Sequence, residues 1–140
     1  MRQLICISIL ALIGFSNTSL GQNINIPADS ITSLLCKKWI MDYAMMGGTK
    51  IGKMPGATES NFEFFKDKTF VLTSNTTSTK TTGTWSYDQG KKNIKLTIGG
   101  RSNLRVISLK DDQLEMLADT KDATPDDPMP FNIFYKPGTK

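Results

Sequence analysis

The chain has 140 residues, with 17 lysines and arginines against 13 acids, a net charge of +4, and no histidine. The bases are interleaved with acids and form no stripe, which argues against a nucleic-acid footprint. The lack of histidine removes the commonest general base and the commonest zinc ligand, so neither a catalytic centre, a metal site nor a cofactor is expected.

Met1-Arg2-Gln3 is a short basic start, Leu4 to Phe15 is apolar, and Ser16 to Gly21 is small and polar. Ser19 and Gly21 have the spacing a signal peptidase accepts. Residues 1–21 therefore read as a signal peptide cleaved before Gln22. The apolar run is shorter than a spanning helix needs, so no membrane span remains after cleavage and the location expected is secreted or periplasmic. Cys6 lies inside the run, leaving no acylatable cysteine after it. Residues 22–140 form one domain, long enough for a single core. Its lone cysteine, Cys36, excludes an intramolecular disulfide. With no histidine to activate it, Cys36 reads as a small buried apolar residue.

After a short leader, Asp29-Ser30 is a capping signal, and Ile31, Leu34 and Leu35 share a helical face. The helix is expected to end near Lys37. From Trp39 the period becomes two: Trp39, Met41, Tyr43 and Met45 alternate with Ile40, Asp42, Ala44 and Met46 in a first strand. Gly47 to Glu59 reads as a lid-like loop. Gly47-x-x-x-x-Gly52-Lys53 has most of a phosphate-binding motif, but Met54 stands where Ser or Thr holds magnesium and Pro55-Gly56 break the required helix. Further strands are expected at about 61–66, 69–76, 82–88, 93–98, 102–109, 113–119 and 129–136, joined by short polar turns. The exception is the acidic, proline-broken link Thr120 to Pro128. Within 102–109 the phase changes midway, which suggests a bulge.

Eight strands with hairpin-length links argue an all-β antiparallel meander, which closes into an up-and-down barrel with no exposed edges. One face is apolar: Phe62 and Phe64; Phe70 and Leu72; Trp85 and Tyr87; Ile94, Leu96 and Ile98; Leu114 and Met116; Phe131, Ile133 and Tyr135. Met41, Met45 and Met46 read as packing thioethers, and Asp111-Asp112 and Asp126-Asp127 as turn acids.

The order Leu34-Leu35, Lys38-Trp39, Phe62-x-Phe64 to Thr69-Phe70, Gly83-Thr84-Trp85-Ser86-Tyr87, Ile94-x-Leu96 and Ile107-x-Leu109 to Leu114 resembles the bacterial lipocalin-like domains of exported Bacteroidetes-type proteins. The resemblance covers most of residues 34–136. It implies an eight-stranded lipocalin-like barrel with a short N-terminal helix, outside the cytoplasm. This chain departs from the family's Asp-Gly-Thr hairpin at Asp67-Lys68-Thr69, placing lysine where glycine accepts a positive φ. It also has Lys37-Lys38-Trp39 where lipocalins proper carry Gly-x-Trp.

An eight-stranded barrel is either filled by side chains or holds one small ligand. The expected function is non-enzymatic binding of a small apolar or amphipathic molecule. Its candidate lining is Trp39, Tyr43, Phe62, Phe64, Phe70, Trp85, Tyr87, Phe131 and Tyr135, with the hydroxyls of Tyr43, Tyr87 and Tyr135 as polar contacts. The rival is a filled barrel acting as a protein-interaction or inhibitor module of the cell envelope through loops 47–59 and 120–128.

Overall fold

Alternating apolar and polar residues make strands, and most of the described residues lie in them. The computed structural model describes residues 24–51, 60–118 and 131–139. The expected signal peptide and the 120–128 link lie outside these residues. The elements described are α1 (Ala28–Leu35), β1 (Lys38–Met46), β2 (Thr49–Ile51), β3 (Ser60–Phe64), β4 (Thr69–Ser74), β5 (Lys80–Asp88), β6 (Asn93–Ile98), β7 (Arg101–Leu109), β8 (Leu114–Ala118) and β9 (Phe131–Pro137).

From β3 onward each strand pairs antiparallel with the next, and β9 returns to pair with β1 from Trp39↔Pro137 to Met46↔Phe131. That pairing closes the sheet and removes its edges. β2 and β3 share the other side of β1: β2 faces Ala44–Met46 and β3 faces Lys38–Trp39. The nine strands thus occupy the eight positions of an up-and-down barrel. Between β2 and β3 the ladder on this side of β1 is interrupted. There the Asn61 side chain stands in for backbone, its Oδ1 accepting the Met41 N–H at 3.4 Å while its Nδ2 donates to Asn75 Oδ1 at 2.9 Å.

The strand β2 corrects the expectation of a loop starting at Gly47. Gly47 (φ 56°) and Gly48 (φ 81°) both take positive φ, the conformation of a two-residue hairpin turn that matches strand twist. The helix also starts differently from expectation. Pro27 is its N-cap and no side chain caps it, so Asp29 lies in the first turn, where its charge suits the helix dipole.

Two bulges reset the inside-outside phase. The expected one in β7 falls between Val106 and Ser108 against β8. The other, in β1 between Met41 and Tyr43 against β9, is not apparent from the alternation. Asp42 is its extra residue, and the phase flips after it: Met41 faces Tyr135 on the inner side, Tyr43 faces Phe134 on the outer side, and Ala44 returns inward opposite Ile133.

One end of the barrel is sealed. Ile31 and Leu35 of α1 and Ile24 before it are buried in the same cluster as Trp39, Phe64, Phe70, Trp85, Leu109 and Leu114. Trp39 fixes the helix to the barrel, its Nε1–H donating to Leu35 O at 3.0 Å. At this end the turn after β3 packs on β5. Lys66-Asp67-Lys68 is a three-residue hairpin in which Lys68 takes φ 70°, the left-handed position normally given to glycine. Asp67 Oδ1 accepts the Thr69 N–H at 3.0 Å, and Trp85 holds the turn three ways. The Trp85 N–H donates to Lys68 O at 2.8 Å, its Nε1–H donates to Phe65 O at 3.0 Å, and Lys68 Nζ lies 3.9 Å from its ring centroid. A cation over an indole contributes about 0.5–1 kcal/mol at an exposed site, which offsets part of the strain of lysine at positive φ.

Gly83, opposite Phe70 in the ladder, explains the first residue of Gly-Thr-Trp. A Cβ here would lie 2.6 Å from the Thr97 carbonyl oxygen and collide with the Phe70 ring. Gly83→Ala is therefore expected to cost about 1–3 kcal/mol by overpacking. Thr84→Ala, one residue on and exposed, is expected to stay within about 0.5 kcal/mol. Urea denaturation of the two variants checks this; equal midpoints would contradict the assigned faces.

Candidate functional site

Burial along the interior changes from one end to the other. Phe64 pairs with Phe70, and Leu109 with Leu114, at the plugged end, and all four are buried. Trp39, Phe62, Phe64, Phe70, Leu96, Leu114 and Met116 are each at most 2 % exposed. Towards the other end the inward residues are Leu72, Ile98, Leu104 and Ile133. They still pack on the core but are only half-buried. Phe131, paired with Met46 and Ala118 in the last rung, is also half-buried, and Met46 is 39 % exposed. The geometry is a cup with a solid base and an apolar, incompletely covered upper wall.

The base is built mainly of aromatic rings. Phe62 stacks on Phe64 at 5.7 Å between centroids, Phe70 tilts against both at 5.7 and 5.6 Å, and Tyr135 meets Phe62 edge-on at 5.4 Å. These are favourable quadrupole geometries. Trp39, Phe62, Phe64, Phe70, Trp85 and Tyr135 thus belong to the closed base. Tyr87 is tied there too, its hydroxyl donating to Ile24 O at 3.3 Å. Phe131 is the one candidate at the open end.

Tyr43 is displaced from the interior. Because of the Asp42 bulge it lies on the outer face, stacked on Phe134 at 4.5 Å with Lys50 Nζ 4.3 Å from its ring centroid. Its hydroxyl is therefore no polar contact for the interior. Leu72, Ile98 and Ile133 stand on the apolar face that alternation assigns, but a search weighted to aromatics passes over them. Leu104 was hidden by the changing phase of its strand.

A family model described as the lipocalin-like domain matches residues 35–116, more than half of the chain. The chain belongs to the lipocalin-like domain family. Comparisons with curated proteins and with solved structures give no match. The matched span of this lipocalin-like domain runs from Leu35, the plug residue bonded to Trp39, to Met116 in β8, so it takes in the sealed base and most of the wall. The fold is of a binding type. Among the described residues no helix is long and apolar enough to cross a membrane.

Two titratable groups bear on the interior's chemistry. Burial pushes the Tyr135 phenol well above its ordinary range. At physiological pH it is a neutral donor and not a base. Burial also pushes the Cys36 thiol up, with Lys68 and Lys66 pulling weakly the other way, so the thiol stays protonated and weakly nucleophilic.

The Tyr135 shift sets a pH dependence. A phenol in the unfolded chain ionises near pH 10, whereas folded Tyr135 holds its proton to higher pH. Its contribution is complete below that value and is lost as pH rises above it, by about 1.4 kcal/mol per pH unit. The stability of wild type relative to Tyr135→Phe is expected to be flat below about pH 9 and to fall above about pH 10. Parallel denaturation curves for both proteins check this; a pH-independent difference would contradict the burial of the phenol.

Proposed function

We propose that this lipocalin-like domain is an exported protein that binds one small apolar or amphipathic molecule in the upper half of its barrel. The observation that carries the reading is the half-burial of Leu72, Ile98, Leu104 and Ile133 above a fully buried base. Apolar side chains that pack on a core yet keep accessible surface stand to gain about 25 cal/mol for each Å² a ligand covers. A non-catalytic role is part of the proposal, since the inner face is aliphatic and aromatic. Export is proposed on the sequence of residues 1–21 alone.

N-phenyl-1-naphthylamine, an apolar fluorescent probe, is expected to bind the folded protein with one-to-one stoichiometry. Leu104→Trp fills the upper cup at a position that is only half-buried, and is expected to keep the melting temperature within a few degrees while weakening probe binding at least tenfold. Failure of the wild type to bind any apolar probe would overturn the proposal in favour of a filled barrel that acts through its loops.

A further inference from the structure

A register shift at the open end turns one cation onto the inner face of the barrel. Leu96 pairs with Leu104 on that face, and the next pair along is Ile98 with Arg101. Between the two pairs β6 has one residue and β7 has two, so β7 carries a bulge. Unbroken alternation from Leu104 would put Ser102 inward and Arg101 outward. The bulge exchanges them. Ser102 meets Thr97 on the outer side, their hydroxyl oxygens 2.8 Å apart, and Thr97 pairs in turn with exposed Thr84. Arg101 shares a face with its partner Ile98, whose side chain packs against the core. The pair flanks Gly99-Gly100, where φ is 57° and 75°, the backbone of a tight two-residue hairpin.

This places Arg101 at the mouth of the cup. Leu104 pairs with Ala118, the last residue of β8, and Arg101 lies three residues further towards the open end, exposed. The other described cations at this end belong to the outer wall. Lys50 pairs with Met45 and lies over the Tyr43 ring, and Lys80 pairs with Thr73, the outward neighbour of Leu72. Among the described residues no acid shares the inner face there. Below Arg101 come half-buried Ile98 and Leu104, then Val106, which is fully buried. The strand from Arg101 to Val106 is roughly 16 Å long, and the tilt of barrel strands reduces this to a depth of roughly 12 Å.

We propose that the interior ligand is an amphipathic carboxylate, with a medium-length acyl chain against Leu72, Ile98 and Leu104 and its carboxylate on the Arg101 guanidinium at the mouth. The assignment rests on the interior binding proposed above and adds the class of molecule. A guanidinium matches a carboxylate with two parallel N–H donors. One guanidinium balances one negative charge, which favours a carboxylate over a phosphate monoester, whose charge is nearer two. A neutral chain of the same length would gain the apolar contact alone.

The experiment is calorimetric titration of the protein with decanoate and with decanol at neutral pH, where the acid is ionised, and the readout is the ratio of the two affinities within each protein. Wild type is expected to prefer decanoate about fivefold, as a partly exposed ion pair allows. Arg101→Gln is expected to bring the ratio to about one, Arg101→Glu to reverse it, and Arg101→Lys, which keeps the charge, to retain most of it. Comparing two ligands in the same variant cancels a general loss of affinity. Lys80→Gln removes an outward charge at the same end and is expected to leave the ratio unchanged. Equal affinities in wild type, a ratio untouched by Arg101→Gln, or an equal fall in Lys80→Gln would overturn the assignment while N-phenyl-1-naphthylamine binding leaves the interior site standing. A wild type that binds neither that probe nor either decyl compound would overturn the interior site and this assignment with it.

Discussion

The hydrogen bond from Trp39 Nε1 to Leu35 O ties the only helix described to the first strand of the barrel, and the rest of the interior follows from it. With Trp39 fully buried beneath α1, Ile31 and Leu35 become a lid on one end. The rings of Phe62, Phe64 and Phe70 then pack against an apolar ceiling instead of water. Removing that contact would expose a large apolar surface in a domain whose total stability is of order 5–15 kcal/mol. The opposite end has no such element among the described residues, and its inner wall is correspondingly less buried.

Under the proposed function, that asymmetry divides the barrel between two roles. The base supplies stability through aromatic packing, the turn clasped by Trp85, and the close approach that Gly83 allows Phe70. The upper wall contributes less burial and keeps apolar area accessible, which is the property a binding surface needs. A small barrel packed equally at both ends would be more stable and would have nowhere to put a ligand.

Much of the fold was legible in the sequence because period-two alternation maps directly onto inside and outside. The Phe62/Phe64, Phe70 and Ile94/Leu96 faces, the turn at Lys66-Asp67-Lys68 and the bulge in β7 all follow from it. Tyr43 was misplaced because a single extra residue, Asp42, shifts the phase, and its salt bridge to Lys136 at 3.3 Å is a long-range contact with no local signature. β2 was missed because Gly47-Gly48 was read with the glycines after it as loop, although a Gly-Gly pair following a strand is also a hairpin signal. The interior site was only partly legible: aromatic residues mark a core as readily as a cavity, and the difference lies in how much of each ring is covered, which depends on the helix above it.

The barrel is sealed at the helix end and less covered at the other. Thiol labelling along β6 tests it most directly, in a background with the native cysteines replaced by serine. Ile98→Cys, near the open end, is expected to react with a thiol reagent at a rate approaching that of a free cysteine. Ile94→Cys, four residues down the same strand and fully buried, is expected to react only at the rate of global unfolding. Equal protection at the two positions would contradict the open cup, and equal reactivity would contradict the sealed base.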